Sequence, residues 1–420
     1  MLEKKIKNSI FSLLTKAKES SLKFNLNSDL KNKILLEMSK SLIDNKDYLI
    51  KENLKDIEKA KANNKPASFI DRLRLTEKRI KEMSKSLEEI ASLKDPIGEV
   101  ISGWRRPNGL EIRKVRVPIG VIFIIYEARP NVTSDCIGLC FKSSNVSILR
   151  GGSLSLNSNK AIFRLLREVL EKHKMEDLFF LIEEPSYEVV NYILKEGSTF
   201  IDLVIPRGGE ELIKKVASVS TIPVIKHYKG VCHIYVDEYA DIKRALSICL
   251  NAKVQRPSVC NAVETILVHK RIAKEFLPLL QKEFNKFGVE IRGCPQTFKI
   301  LSGIKKATLK DWSTEYLDLI VSIKVVDDIS EAINHINTYG SSHTESIVSQ
   351  NIDNVEKFIK EVGSCCVFSN ISTRFSDGAQ FGLGAEIGIS TDKLHARGPM
   401  GLEELTTYKW VVYGNGQIRR

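Results

Sequence analysis

From the amino terminus to about residue 95, apolar residues recur at helical intervals, as in Ile6, Ile10, Leu13 and Leu14, with lysines between them. That spacing draws an apolar stripe along one face and predicts a run of amphipathic helices. The stretch DRLRLTEKRIKEMSKSLEEIASL continues it, with Thr76 as the N-cap ahead of Glu77 and Lys78. The texture changes at Asp95-Pro96. GWRRPNGLEIRKVRVP alternates polar and apolar positions around Pro107-Asn108-Gly109, which predicts a hairpin. From Val117 the pattern becomes short apolar runs between amphipathic stretches. VIFIIYE is apolar at every position up to Glu127, as in a strand buried on both faces of a parallel sheet. NVTSDCIGLCFKSS reads as a helix, NVSILRGG as a strand, NSNKAIFRLLREVLEKHK as a helix and DLFFLIE as a strand. SYEVVNYILKE, IDLVIPRGG and EELIKKVAS follow as helix, strand and helix, then PVIKHY and VCHIYVD as strands.

A second unit is expected from Asp241. DIKRALSICLNAK, RIAKEFLPLLQKEFNKFG, ISEAINHINTYG and NVEKFIKEV are its helices. AVETILVH, VEIRG, LDLIVSIKVV, TESIVSQ and SCCVFSN are its strands. Alternation of this kind predicts an α/β fold, a doubly wound sheet followed by a second α/β domain. The tail TTYKWVVYGNGQIRR is strand-like, and its apolar edge is expected to pair with something, a neighbouring subunit being one partner.

Length agrees, since 420 residues exceed what one hydrophobic core serves. No apolar run reaches the ~18–20 residues of a membrane helix, and VPIGVIFIIYEARP stops at Glu127 and Arg129. The lysine-containing start lacks a small-residue cleavage site, and Glu3 and Glu19 argue against a transit peptide. The net charge of +12 invites a nucleic-acid reading. However, the 64 basic residues are interleaved with 52 acidic ones and form no long basic block. A modest positive field suits capture of small anions instead. Eight cysteines in so long a chain are not a disulfide framework and fit a reducing cytoplasm. Cys136 and Cys140 share a helix with no second ligand pair at a suitable distance, and Cys365-Cys366 reads as the start of a buried strand, so no metal site is expected.

Two places carry candidate chemistry. No GxGxxG follows the first strand, but Arg150-Gly151-Gly152, followed by Ser153, and Arg207-Gly208-Gly209 each join a strand end to a helix. Glycine permits close backbone approach, arginine pairs with phosphate, and a helix N-terminus favours anions, so the two turns together point to a nucleotide. A plain left-handed turn is the alternative for either alone. The other place is VQRPSVCNAVE, which holds Cys260 between a proline turn and an apolar run. A buried thiol needs no such loop, whereas a nucleophilic thiolate does.

VPIGVIFIIYEARPNVTSD, ILRGGSLSLNSN, VIPRGG, PVIKHYKGVCHIYVD, NAKVQRPSVCNAVETILVH and FGLGAEIGISTDKLHARGPMGLEELTTYKWVVYGNGQIR, in this order, resemble the γ-glutamyl phosphate reductase family of the aldehyde dehydrogenase superfamily. The resemblance extends over nearly the whole chain. It implies an aldehyde dehydrogenase-like fold, with an NADP-binding domain over 1–100 and 118–240 and a catalytic domain over 241–380. Oligomerisation elements would lie at 101–117 and 400–420. It implies Cys260 as nucleophile, with Asn131 and the Cys260 N–H as donors to the oxyanion. Glu315 would steady the nicotinamide ribose and Arg150 would lie near the adenine ribose. Ser153 replaces the acid of NAD-preferring relatives, an exchange that favours NADPH. The water-activating glutamate of aldehyde-oxidising relatives is missing where this chain reads Lys226-His227-Tyr228.

The implied reaction is NADPH-dependent reduction of L-γ-glutamyl 5-phosphate to L-glutamate 5-semialdehyde and phosphate, the second step of proline biosynthesis, in the cytoplasm. Arg129, Lys226, His227, Arg256 and Arg397 are candidate substrate contacts, beside Arg207. The implied partners are the small-molecule substrate, one or three further copies of the chain, and glutamate 5-kinase in transient contact, with no nucleic acid or membrane. Two readings compete: a hydrolytic aldehyde dehydrogenase, and a non-catalytic scaffold or nucleic-acid binder that would not depend on Cys260.

Overall fold

The computed structural model describes every residue except Met1, Ala128, His227, Tyr228 and Arg420, and every side chain among these but that of Ser68. The chain divides into two units. The first comprises residues 1–226, 382–388 and 400–420, and the second residues 227–381 and 389–399.

The first unit opens with the helices Lys4–Lys23, Ser28–Asp44, Lys46–Ala62, Ala67–Leu73 and Glu77–Ser92. Of the predicted stripe on the first helix Ile10 and Leu14 are buried, joined by Ala17, while Ile6 and Leu13 are half-buried; on the last helix Ile80, Met83, Leu87 and Ile90 are buried. Thr76 caps that last helix, its hydroxyl accepting from the Arg79 N–H at 3.2 Å. The hairpin follows as β1 (Val100–Arg105) and β2 (Glu111–Pro118), with Gly109 at φ +87° in its turn, a conformation glycine adopts without strain.

A parallel four-stranded sheet comes next: β3 (Val121–Tyr126), β4 (Val146–Arg150), β5 (Phe179–Leu181) and β6 (Leu203–Arg207), in the order β5-β4-β3-β6. Every residue of β3 and β4 is buried, as their unbroken apolar character requires. Helix Asn131–Lys142 lies so close to Glu77–Ser92 that a methyl at Gly138 would come within 2.7 Å of Leu87.

The second unit is built on a parallel seven-stranded sheet. Its strands are β7 (Cys232–Val236), β8 (Val263–His269), β9 (Glu290–Gly293), β10 (Lys305–Lys306), β11 (Ile320–Val326), β12 (Thr344–Val348) and β13 (Cys366–Ser369). Their order is β10-β9-β11-β8-β7-β12-β13. Adjacent residues of β8 serve opposite faces. Ile266 joins the cluster of Phe276, Leu280 and Phe284, while Leu267 joins that of Tyr235, Ile347 and Phe358. Two short strands, β14 (Gly388–Ser390) and β15 (Gly398–Met400), carry the chain's last crossings between the units. The tail forms β16 (Thr406–Tyr413).

Three expectations change. VCHIYVD is the strand β7, paired with β8 and β12 in the second sheet, so the units divide after Lys226 and not near Asp241. An apolar run shows that a strand is buried but not which sheet receives it. The described part of PVIKHY, residues 223–226, forms no strand, Val224 making a single bridge to Val204, while His227 and Tyr228 lie outside the described residues. Finally, the tail strand β16 pairs antiparallel with β2 of the same chain, from Thr406 opposite Pro118 to Tyr413 opposite Glu111, so that pairing needs no neighbouring subunit. Among the described residues no helix is long and apolar enough to cross a membrane.

The helix Leu156–Lys172, which follows the first Arg-Gly-Gly turn, has its N-terminus tied to Asp56 on helix Lys46–Ala62. The buried Asp56 carboxylate accepts from the Asn157 N–H at 3.2 Å, the Ser158 N–H at 2.7 Å and the Ser158 hydroxyl at 2.6 Å. Asp56→Ala orphans these donors and costs about 2–3 kcal/mol, which thermal unfolding followed by circular dichroism will register as a lowered midpoint.

Candidate active site

In the first unit the candidate residues gather along one edge of the four-stranded sheet. Tyr126 ends β3, Arg150 ends β4 and Arg207 ends β6, with Tyr126 in register with Arg207. Parallel strands bring their carboxyl ends together, and ligands of such sheets bind there. Packing restricts Gly151 and crowds Gly208. A side chain at Gly151 would collide with Asn159, and one at Gly208 with Glu127 and Leu212. Gly152 precedes the short turn Ser153–Ser155, and Ser153 is exposed.

The helix N-termini beside these turns are less open than the motif suggests. Asp56 takes the amides of one, and Glu127 accepts the Gly209 N–H of the other at 3.1 Å. Carboxylates of the chain already meet the positive ends of both dipoles.

Arg150 is buried at 4% exposure. It donates from Nη2 to the Pro185 carbonyl at 2.6 Å, and its guanidinium lies 4.9 Å from the Tyr187 ring centre. Lys215 Nζ is 4.8 Å from the same ring, and both Tyr187 and Lys215 are exposed. Sequence reasoning passed over this pair because each is ordinary on its own helix, and only the fold joins them. Asn131 opens helix Asn131–Lys142 and is exposed. Its amide donates to Asp135 at 3.1 Å, and Asp135 also accepts from Ser86 at 3.0 Å. Burial pushes the Asp135 carboxyl up to about 6, so it is still ionised at neutral pH and accepts both bonds.

In the second unit Cys260 stands, half-buried, in the loop between helix Ile242–Val254 and β8. No described residue hydrogen-bonds its backbone N–H. The floor of the loop is fixed by two contacts. A methyl at Gly230 would come within 1.9 Å of the Cys260 carbonyl oxygen, and the buried Cys232 thiol donates to that oxygen at 3.1 Å. Glu315 accepts the Gly230 N–H at 2.9 Å, so two residues picked from sequence, Cys260 and Glu315, meet through a glycine that was not.

The base of the loop is closed by Lys253 and Glu264, 2.7 Å apart with both side chains fully buried. Glu264 also accepts the Leu317 N–H at 3.3 Å, and Lys253 donates to the Asp318 carbonyl at 3.2 Å. Leu317 sits at φ +55°, strained for a branched side chain, and these bonds hold the turn just beyond Glu315 in place. Burial pushes Glu264 up to about 7 and Lys253 down. Loss of hydration therefore outweighs the pair's mutual attraction.

The basic candidates differ in setting. Arg129 and Arg256 are exposed, Lys226 is half-buried at the end of the first unit, and His227 lies outside the described residues. Arg397 binds the Gly363 carbonyl. Arg256 stands on the cysteine loop itself. A second cation, Arg374, reaches that loop from a distant segment, and sequence reasoning missed it because the chain returns to the loop only through the turn Thr373–Phe375. Among the described residues no group of three metal-ligating side chains forms.

The model of the aldehyde dehydrogenase family matches residues 25–298. The chain belongs to that family. Within it the chain groups with the γ-glutamyl phosphate reductases. It is 54% identical to that of Nautilia profundicola over 97% of this chain and 99% of the relative. It is 55% identical to that of Caldanaerobacter subterraneus, over 96% and 98%. The crystal structure of the Thermotoga maritima γ-glutamyl phosphate reductase matches it with a TM-score of 0.95 at 48% identity, over 98% of this chain and 99% of that one. The fold is therefore the aldehyde dehydrogenase-like α/β fold.

For this member of the aldehyde dehydrogenase family two outcomes are expected. Gly230→Ala folds but displaces the Cys260 carbonyl, and steady-state assays will show turnover down by about a hundredfold. Lys253→Met and Glu264→Met each destabilise the protein by about 3–5 kcal/mol, whereas the double variant unfolds near the native midpoint yet turns over slowly, because the turn after Glu315 has lost its tethers.

Proposed function

We propose that this aldehyde dehydrogenase-family oxidoreductase reduces L-γ-glutamyl 5-phosphate to L-glutamate 5-semialdehyde and phosphate through a thioester on Cys260, the second step of proline biosynthesis. The observation that carries the reading is the Cys260 loop itself. It offers a half-buried thiol whose own N–H is unbonded among the described residues, on a floor that only glycine at 230 permits. The names of the relatives supply the substrate.

The Cys260 thiolate adds to the γ-carbonyl carbon, and the charge moves to the carbonyl oxygen. The Cys260 N–H donates to that oxygen, and Asn131 is the second donor the family assignment supplies. The carbon–oxygen bond to phosphate then breaks, the phosphate leaving with the electron pair, and the acyl group remains on sulfur. A reduced nicotinamide coenzyme, when bound, supplies the hydride that takes the thioester to the aldehyde level. Cys260 then leaves as thiolate. With Lys226-His227-Tyr228 where a water-activating glutamate would stand, the chain lacks the carboxylate that in aldehyde-oxidising relatives diverts the thioester to a free acid.

The residues of the first unit fit NADPH. Ser153 is exposed and uncharged where an acid would repel a 2′-phosphate, and Arg150, Tyr187 and Lys215 give a cationic, ring-bearing surface nearby. Gly151, Gly152, Gly208 and Gly209 let the backbone approach the pyrophosphate. Glu315 is assigned to the nicotinamide ribose.

The working form is proposed as a cytoplasmic homodimer or homotetramer. The sheet of β1, β2 and β16 exposes Trp104, Tyr408 and Trp410, with the two tryptophans 5.6 Å apart, a surface suited to a second copy. Glutamate 5-kinase, as the source of a labile acyl phosphate, is the proposed transient partner.

Cys260→Ser is expected to abolish phosphate- and NADP-dependent oxidation of the semialdehyde with the circular-dichroism spectrum unchanged. Turnover above a few per cent of wild type, or oxidation that ignores phosphate, would overturn the thioester reading.

A further inference from the structure

We infer that Arg374 is the cation that receives the phosphate group as it leaves the acyl carbon at Cys260, an assignment that rests on the thioester reading above. Arg374 braces the cysteine loop on both sides of the sulfur. Its Nε donates to Gln255 Oε1 at 2.8 Å, ahead of Cys260, and its Nη1 donates to the side-chain oxygen of Asn261, the residue after it. Asn261 is itself oriented by donating to the Ser376 carbonyl at 2.8 Å.

Both partners of the guanidinium are neutral amides. They fix its plane and leave its charge in place. Its Nη2 makes no hydrogen bond to any described residue. Burial weighs most against its charge, the guanidinium of Arg256 on the same loop adds repulsion, and the Asp377 carboxylate opposes both. A brace alone would be served by a neutral side chain or by pairing with a carboxylate. Two like charges held beside a nucleophile, one of them half-buried with an edge that bonds no described residue, favour a further anion beside them. A guanidinium edge matches phosphate oxygens in a two-point contact, which an ammonium cannot reproduce.

The chemistry uses that charge at one moment. As the carbon–oxygen bond breaks, its electron pair passes to the phosphate oxygen. Arg374 stabilises the added charge and keeps its own protons, and the freed phosphate takes a proton from solvent. The substrate's other anion, its α-carboxylate, lies at the far end of the glutamyl chain from the carbon bonded to sulfur. A cation set on the residues flanking Cys260 is therefore assigned to phosphate.

The test uses full-length Arg374→Gln and Arg374→Lys in the phosphate-dependent oxidation of the semialdehyde, together with alkylation of Cys260 by iodoacetamide with and without inorganic phosphate. Arg374→Gln is expected to raise the KM for phosphate about tenfold or more while the KM for the semialdehyde stays unchanged. Inorganic phosphate will slow alkylation of the wild type and will no longer do so in Arg374→Gln. Arg374→Lys, which restores charge without the fork, will recover part of both effects. An unchanged phosphate KM, surviving protection by phosphate, or a rise in the semialdehyde KM instead would overturn the assignment, the last by moving Arg374 to the carboxylate. None of these outcomes bears on the thioester, which stands or falls with Cys260→Ser.

Discussion

Lys253 and Glu264 face each other at 2.7 Å across the base of the cysteine loop, with no water-exposed surface on either side chain. The pair closes a loop whose ends belong to a helix and a strand, and from the same atoms it reaches the turn after Glu315. One buried interaction therefore fixes two stretches distant in sequence. Burial of charge is a poor way to gain stability, and here the lost hydration exceeds the attraction. Its retention makes sense as a positional device. A loop without regular hydrogen bonding would otherwise wander, and chemistry at a sulfur tolerates little wandering.

The first unit shows the same economy in another form. Its glycine turns look like seats for phosphate, yet Asp56 and Glu127 already occupy helix amides beside them. What remains for a dinucleotide is the glycine backbone, the exposed Ser153, and the Tyr187 ring with its two cations. Recognition through a ring face and flanking cations differs from recognition through a helix dipole.

Most of the fold was legible because burial on both faces of a parallel strand leaves an unbroken apolar run, and VIFIIY and VETILVH could be little else. What could not be read was membership. VCHIYV is as apolar as its neighbours in the chain, and nothing in its residues says that it joins the second sheet. Cys260 stood out through its proline-led loop, and Asn131 and Glu315 through resemblance. Gly230, Lys253, Glu264 and Arg374 stayed hidden for one reason. Each acts through a contact to a segment remote in sequence, and a lone glycine, lysine, glutamate or arginine carries no local mark of that.

The eight thiols differ in what their surroundings allow. Six are buried, and Cys365, half-buried like Cys260, donates to the His343 carbonyl at 2.8 Å. Cys232 is the instructive case, since it lies against the very backbone of Cys260. Burial lifts its thiol well above the ordinary range, so it keeps its proton. That proton is used, because it points at the Cys260 carbonyl and helps hold the loop. A serine there would donate as well but would carry a more costly oxygen into an apolar strand, whereas a thiol is at home in the core. Desolvation thus makes one sulfur a support, while its neighbour stands half-buried in a polar loop.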